Sequence, residues 1–305
     1  MRIVVIGAGG LGSYVGAVAA QAGHDVTLVA RGPHRTAIEE HGLHVRSHAG
    51  DFVVHPRCVG DASETHGAEL ALVVTKTFSL DEVASQLRHL SVGGAHIVSL
   101  LNGVNAVTRL HDHGIGLEQM ADGAAYMTSF RVAPGVVERK ASHQRIVLPS
   151  PGENAAAALM ADAFGDTLVG IEHVDDIRIE LWEKLAVVSP LSVLCAIGDG
   201  SMGSIRAHPY GASLQSAAIR EVLDVGRSTG VPIPASSDEE IDARLDRFPD
   251  SFFPSVIHDL NEQRRTEMPD LGGEVVRLGL KHGVPTPLHE VGTLRVEQAE
   301  ARYRG

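Results

Sequence analysis

The stretch MRIVVIGAGGLGSYVGAVAAQAGHDVTLVAR, residues 1–31, decides the fold. An apolar run at 3–6 ends in Gly7-Ala8-Gly9-Gly10-Leu11-Gly12, and a small-residue helix pattern follows to Ala22. Gly23 closes that helix, and a second apolar run at 26–29 leads to Ala30-Arg31. Strand, glycine turn, helix and strand form the unit in which G-x-G-x-x-G acquires meaning. Gly7 permits the tight turn, Gly9 lets the backbone approach a pyrophosphate, and Gly12 lets helix and strand pack closely. The helix N-terminus then offers free N–H groups and a positive dipole end to phosphates. A dinucleotide site is therefore predicted. An NAD site usually carries Asp or Glu at the end of the second strand, to hold the ribose 2′-hydroxyl. Here Arg31 stands there, with Arg35 one helical turn further. A guanidinium fork matches a 2′-phosphate, so NADP is predicted over NAD.

The rest of the first half alternates strand and helix. A helix is predicted over 33–41, then two strand-like segments at 43–47 and 52–57 around Ala49-Gly50-Asp51, a hairpin signal implying a sheet that is not purely parallel. A buried strand over 68–75 ends at Lys76, a helix covers 80–90, and a strand over 95–101 ends at Asn102-Gly103. In open α/β sheets ligands bind at the carboxyl ends of the strands, which marks Lys76 and Asn102 as site candidates. Strands over 122–130, 135–140 and 144–148, a helix over 153–164 and a strand over 166–174 complete this half. From Asp175 onward strand signals vanish, and helices are predicted over 177–197, 209–229, 236–247, 255–267, 271–282 and 288–299. The fold class is thus α/β: a Rossmann-type doubly wound domain over 1–174, followed by an all-helical domain over 175–305.

Composition narrows the function. A 305-residue chain with 44% hydrophobic and 21% charged residues is ordinary globular material. A formal net charge of −12 argues against a nucleic-acid footprint. The longest apolar run, 185–197, is broken by Ser189, Pro190 and Ser192 and is too short to span a bilayer. Two distant cysteines, Cys58 and Cys195, and no charged-then-apolar leader predict a reduced, cytoplasmic protein. His111-Asp112-His113 lacks the helical spacing and second ligand pair that zinc needs, so no metal is expected.

The helical half carries two polar constellations. In DIRIELWEKL (176–185), Lys184 stands at the mouth of a helix that then turns fully apolar. Partial desolvation there eases proton loss, so Lys184 could protonate an alkoxide as hydride arrives; pairing with Glu180 on a solvated face is the alternative. Ser255, Asp259 and Glu267 fall on one face of the helix predicted over 255–267. Ser255 could hold a carboxylate or hydroxyl, or merely cap the helix. Glu267 could orient Lys184 or accept a substrate hydroxyl, or pair with a neighbouring arginine.

With VIGAGGLG and Arg31, VTK ending at Lys76, LNG at Asn102, IRIELWEKLAV around Lys184, and RRTE followed by GLKHGVPTP, the chain resembles the ketopantoate reductase family along essentially its whole length. These are the NADPH-dependent 2-dehydropantoate 2-reductases of pantothenate biosynthesis. The resemblance implies a Rossmann domain that holds NADPH at Gly7, Gly9, Gly10, Leu11, Gly12 and Arg31, with Lys76 and Asn102 on the cofactor side. It implies Lys184 as catalytic acid and Asn102, Ser255 and Glu267 as substrate-site residues. The family usually has Asn one and two turns after the lysine and three residues before the serine. Here those positions hold Val188, Ser192 and Phe252, which makes the pocket more apolar. The expected reaction is reduction of a 2-oxo acid, ketopantoate first and a more apolar 2-oxo acid second. A catalytically weakened NADP-binding sensor is a further reading, and a homodimer is left open. An opine or hydroxyacid dehydrogenase using a His/Asp pair is disfavoured, because adjacent His258 and Asp259 diverge on a helix.

Overall fold

In a computed structural model that describes residues 1–139, 144–198 and 200–304, contacts gather the chain into two compact units. One unit comprises Met1–Leu101 and Asn105–Ile177; the other comprises Asn102–Val104 and the chain from Arg178 onward. The division after Ile177 falls in the first turn of a long helix rather than at Asp175.

The first unit opens with β1 (Arg2–Ile6), α1 (Gly10–Gln21), β2 (Asp25–Val29), α2 (Gly32–His41), β3 (Leu43–Ser47), β4 (Phe52–Val54) and β5 (Arg57–Val59). There follow β6 (Leu70–Val73), α3 (Leu80–Val92), β7 (His96–Ser99), α4 (Ala106–Asp112), β8 (Met120–Asp122), β9 (Ala124–Tyr126), β10 (Ser129–Ala133), β11 (Val136–Arg139), β12 (Arg145–Pro149), α5 (Ala155–Phe164) and β13 (Gly170–Val174). The main sheet has the order β5-β2-β1-β6-β7-β8, and every pairing in it is parallel. Side chains alternate across a strand, so Ile3 and Val5 of β1 enter one core with α1 and α5, while Val4 and Ile6 enter another with α3. Helices on both faces explain why β1 and β6 read as unbroken apolar runs.

The expected hairpin exists, but outside the main sheet. β3 pairs antiparallel with β4 in a second sheet of order β10-β11-β3-β4. The segment 52–57 is split at Pro56, which has no N–H for a ladder, and Arg57–Val59 joins β2 in the main sheet. The single strand expected over 122–130 is three strands in three sheets, with β9 in a third of order β13-β12-β9. Gly123 makes the first break: a Cβ there would lie 2.9 Å from Leu100 and 3.0 Å from Leu148. Of the strand expected over 135–140, Lys140 lies outside the described residues. His34 ties these layers together. Its Nδ1 accepts the Gly135 N–H at 2.9 Å, so Nε2 carries the proton and donates to Ser13 Oγ at 3.1 Å. Burial, with Arg131, pushes this imidazole down to about 4, so it stays neutral.

The second unit is helical. α6 (Ile177–Ile197) is followed by α7 (Met202–Arg206), α8 (Gly211–Ser228), α9 (Ser237–Leu245), α10 (Ser255–Asn261), α11 (Gly272–His282) and α12 (Pro287–Arg304). α6 is apolar on all sides from Leu185 on, the mark of a helix enclosed by others. Its Val193 is met by Gly272 of α11 and Gly292 of α12, where a Cβ would lie within 3.2 and 2.3 Å. The N-terminus of α12 is held by Glu221 of α8. That carboxylate accepts the Leu288 and His289 N–H groups at 2.9 and 3.0 Å and bonds the His289 Nδ1 at 2.6 Å. Among the described residues no helix is long and apolar enough to cross a membrane.

Candidate active site

In the first unit the strand order reverses between β1 and β6, so the carboxyl ends of those strands flank a crevice of the kind that takes dinucleotides. Gly7 leaves β1 with φ +105°, and a Cβ there would meet the Val74 and Thr75 backbone at 2.6 Å. Gly12, in the first turns of α1, would meet the Gly7 carbonyl at 2.1 Å. Gly9, the N-cap of α1, has nothing within 4 Å of its missing side chain. No acidic residue occupies the first turn of α1, which begins Gly10-Leu11-Gly12. The turn is therefore held tight from behind and open in front, as a phosphate cradle requires. Two further observations fit a dinucleotide here. Thr75 Oγ1, at the carboxyl end of β6, is buried without a hydrogen-bond partner. Arg31 caps α2, is exposed, and donates a long 3.5 Å hydrogen bond to the Gly60 carbonyl, whereas Arg35 is engaged by Glu39 at 2.7 Å. Lys76 follows as an exposed residue ahead of a single 3-10 turn, Thr77–Ser79.

Sequence reasoning missed two polar residues of this unit. Ser129 donates its hydroxyl to the Gly10 carbonyl at 3.0 Å and pins the glycine turn. Asp122 ends β8 beside Ser99 of β7, so the strand-end rule that marks Lys76 and Asn102 applies to it equally. Burial pushes its carboxyl up to about 7, against the opposing influence of the Val107 N–H. Reading 122–130 as one strand hid this strand end.

In the second unit Lys184 is 9% exposed and Glu267 4%. Burial pulls the Lys184 ammonium down to about 8, while Glu267 and then Glu180 hold it up. Lys184 therefore does not stand on a solvated face. At neutral pH it remains mostly charged yet gives up its proton far more readily than an ordinary lysine. Glu267 arrives by a different route from the one expected. α10 stops at Asn261 because Arg264 turns back, its guanidinium donating to Asp259 Oδ1 at 2.8 and 3.0 Å, and Gln263 takes the left-handed region at φ 53°. Glu267 thus lies outside the helix of Ser255 and Asp259. It precedes the 3-10 turn Met268–Asp270 and follows Thr266, whose N–H and hydroxyl both donate to Glu300 of α12, at 3.1 and 2.8 Å.

Asn102 leaves β7 in a bend and belongs by its contacts to this second unit, and a Cβ on its neighbour Gly103 would lie 3.2 Å from the Asp270 carbonyl. The structure so brings the Asn102 loop against the turn that follows Glu267. Ser255 is the exposed first residue of α10, with Pro254 as N-cap. Val188 is half-buried one turn beyond Lys184, and Ser192 is fully buried with its hydroxyl donated to the Val188 carbonyl at 2.8 Å. The Phe252 ring tilts onto Phe248 at 4.5 Å between centroids. Neither Val188 nor Phe252 carries a polar side-chain atom, and the hydroxyl of Ser192 is already spent.

Comparison with known proteins points to one family. Residues 3–152 match the family described as Ketopantoate reductase PanE/ApbA, and residues 176–297 match Ketopantoate reductase PanE/ApbA C terminal. A 2-dehydropantoate 2-reductase of Halobacterium salinarum is 29% identical over 94% of this chain and 95% of its own. A PanE/ApbA family ketopantoate reductase from Ralstonia eutropha JMP134 superposes with a TM-score of 0.89 at 28% identity, covering 100% of both chains. A D-mandelate dehydrogenase, solved with NADH and anilino(oxo)acetate, shares the fold with a TM-score of 0.87 at 23% identity, again over 100% of both chains.

Proposed function

The chain belongs to the ketopantoate reductase family of NADPH-dependent oxidoreductases acting on a CH–OH group, and from that premise we propose that it reduces 2-dehydropantoate to pantoate, a step of pantothenate biosynthesis. The observation that carries this reading is the buried Lys184 ammonium beside Glu267. Gly7, Gly9, Gly10, Leu11 and Gly12 would hold the NADPH pyrophosphate, Arg31 would take its 2′-phosphate and Lys76 would lie on the cofactor side; when bound, NADPH would supply the hydride that the ketone carbon accepts. Lys184 Nζ donates a proton to the carbonyl oxygen, so that the ketone becomes a secondary alcohol and the lysine is left neutral. Glu267 keeps that proton on Lys184 until it is needed. Asn102 and Ser255 orient the 2-oxo acid, Val188 lines its far side, and the fully buried Ser192 backs that wall. The two free, buried cysteines suit a cytoplasmic enzyme, and the exposed Val291 and Leu294 on α12 suit a homodimer.

A second reading keeps the chemistry and changes the substrate. Val188, Phe252 and the self-satisfied Ser192 leave few partners for a substrate hydroxyl, which favours a more apolar 2-oxo acid. A sensor that binds NADPH without turnover follows if no 2-oxo acid is reduced. NADPH oxidation followed by absorbance, with ketopantoate and with 2-oxo acids of graded size and hydroxylation, tests all three. Turnover that survives Lys184→Ala unchanged removes Lys184 from the mechanism.

A further inference from the structure

The helical unit contains a cavity of about 490 Å³ that none of the proposed catalytic residues lines. It lies among the C-terminal ends of α6 and α10 and the last turns of α12. Its wall is apolar at Ile257, Leu260 and Ala299, while α12 contributes Arg295 and Arg302. The volume is in the range of small-molecule sites. Cys195, on its α6 side, stands eleven residues beyond Lys184, about 16 Å along the helix axis.

The charges decide what such a ligand is. Arg304 is paired with Glu300 at 2.7 Å and Arg264 with Asp259 at 2.8 Å. Among the described residues Arg295 and Arg302 have no acidic partner, in a chain with twelve more acidic than basic residues. They are seven residues apart, on one face of α12, with Ala299 between them. The carboxyl ends of α6 and α10 bring partial negative charge to the same space, up to roughly half a charge each. Two guanidiniums beside an apolar wall suit a carboxylate on a hydrocarbon body, and the two helix carboxyl ends disfavour added negative charge. The end of α10 is fixed by the Arg264–Asp259 pair, and Tyr303, another lining residue, is fixed by its hydroxyl donated to the Arg264 carbonyl at 2.7 Å, so the cavity is largely formed in advance.

We propose that this cavity is a second binding site, for an amphipathic monocarboxylate, with its carboxylate on Arg295 and Arg302 and its hydrocarbon body against Ile257, Leu260 and Ala299. The site is independent of the reductase reading.

Titration calorimetry with octanoate, octyl phosphate and octanol tests it. Octanoate is expected to bind one per chain, octyl phosphate more weakly as a dianion, and octanol without measurable heat. Arg295→Gln and Arg302→Gln should each weaken octanoate at least tenfold, while NADPH binding and the circular dichroism spectrum stay unchanged. Lys184→Ala should leave octanoate binding intact, which separates this cavity from the catalytic site. Absence of saturable octanoate binding at millimolar concentration overturns the proposal, as does equal binding by the double arginine variant or loss of binding in Lys184→Ala. Tighter binding of octyl phosphate overturns the monocarboxylate assignment. Sedimentation showing that the arginine variants break up an oligomer, without octanoate heat in the parent, makes this face a subunit contact and likewise overturns it.

Discussion

Replacing Glu267 by Gln removes the first of the two carboxylates that hold the Lys184 proton in place, and keeps the shape of the side chain. Burial has brought the ammonium to about 8 with Glu267 already opposing it. An opposite charge at contact range is worth about 1–3 pKa units, so its loss should bring Lys184 to about 6. A general acid works only while protonated, and the rate therefore falls as pH rises through this value. In the parent the falling limb of kcat/KM should lie near 8; in Glu267→Gln it should lie near 6. At pH 7.5 the protonated fraction drops from about three-quarters to about one-thirtieth, roughly a 25-fold loss of rate from titration alone. Near pH 5 both forms are protonated, and the loss should shrink to a few-fold. Glu180→Gln, removing the smaller influence, should move the limb less. The assay is initial-rate NADPH oxidation from pH 5 to 9.5 with the best 2-oxo acid found. A limb that stays near 8, with a rate loss equal at every pH, refutes the reasoning and makes Glu267 a substrate contact instead.

Arg31→Asp should raise the KM for NADPH about ten- to a hundredfold, the worth of hydrogen bonds to a charged group, while leaving that for NADH nearly unchanged; equal effects in steady-state kinetics dismiss the 2′-phosphate role. Gly9→Ala and Gly12→Ala should behave oppositely. The first places a methyl in open space and should weaken NADPH binding with less than about 1 kcal/mol change in stability, whereas the second forces a methyl to 2.1 Å from the Gly7 carbonyl and should destabilise the fold by about 1–3 kcal/mol in urea unfolding. Glu221→Ala leaves the Leu288 and His289 N–H groups and the His289 ring without their acceptor, and should cost about 3 kcal/mol or more in the same measurement.

The glycine turn was legible in the sequence because each glycine has a local steric reason, and the structure shows those reasons at Gly7 and Gly12. Helices of the second half were legible from apolar spacing, α6 above all. What the sequence hid depends on interactions distant along the chain or on one residue breaking a pattern. Pro56 and Gly123 send neighbouring strands into different sheets, which alternation alone does not reveal. The helix expected over 255–267 keeps a helical pattern past Asn261, but the reach of Arg264 back to Asp259 competes with it and ends the helix. α7 is only five residues long, too short for a periodic signal. Lys184 stood out from the run that follows it, but its burial and the approach of Glu267 over more than eighty residues are tertiary facts. The spent hydroxyl of Ser192 is another.

The three residues Asn102–Val104 leave the first unit in their contacts, and the chain then returns to it until Ile177. Recombination among relatives must respect that excursion. A chimera joined at the start of α6 would take the Asn102 loop from one parent and the turn after Glu267, against which Gly103 rests, from the other. The unit of inheritance for this site is therefore the helical half together with three residues from the middle of the nucleotide half, and a crossover between them should cost activity even when both halves fold.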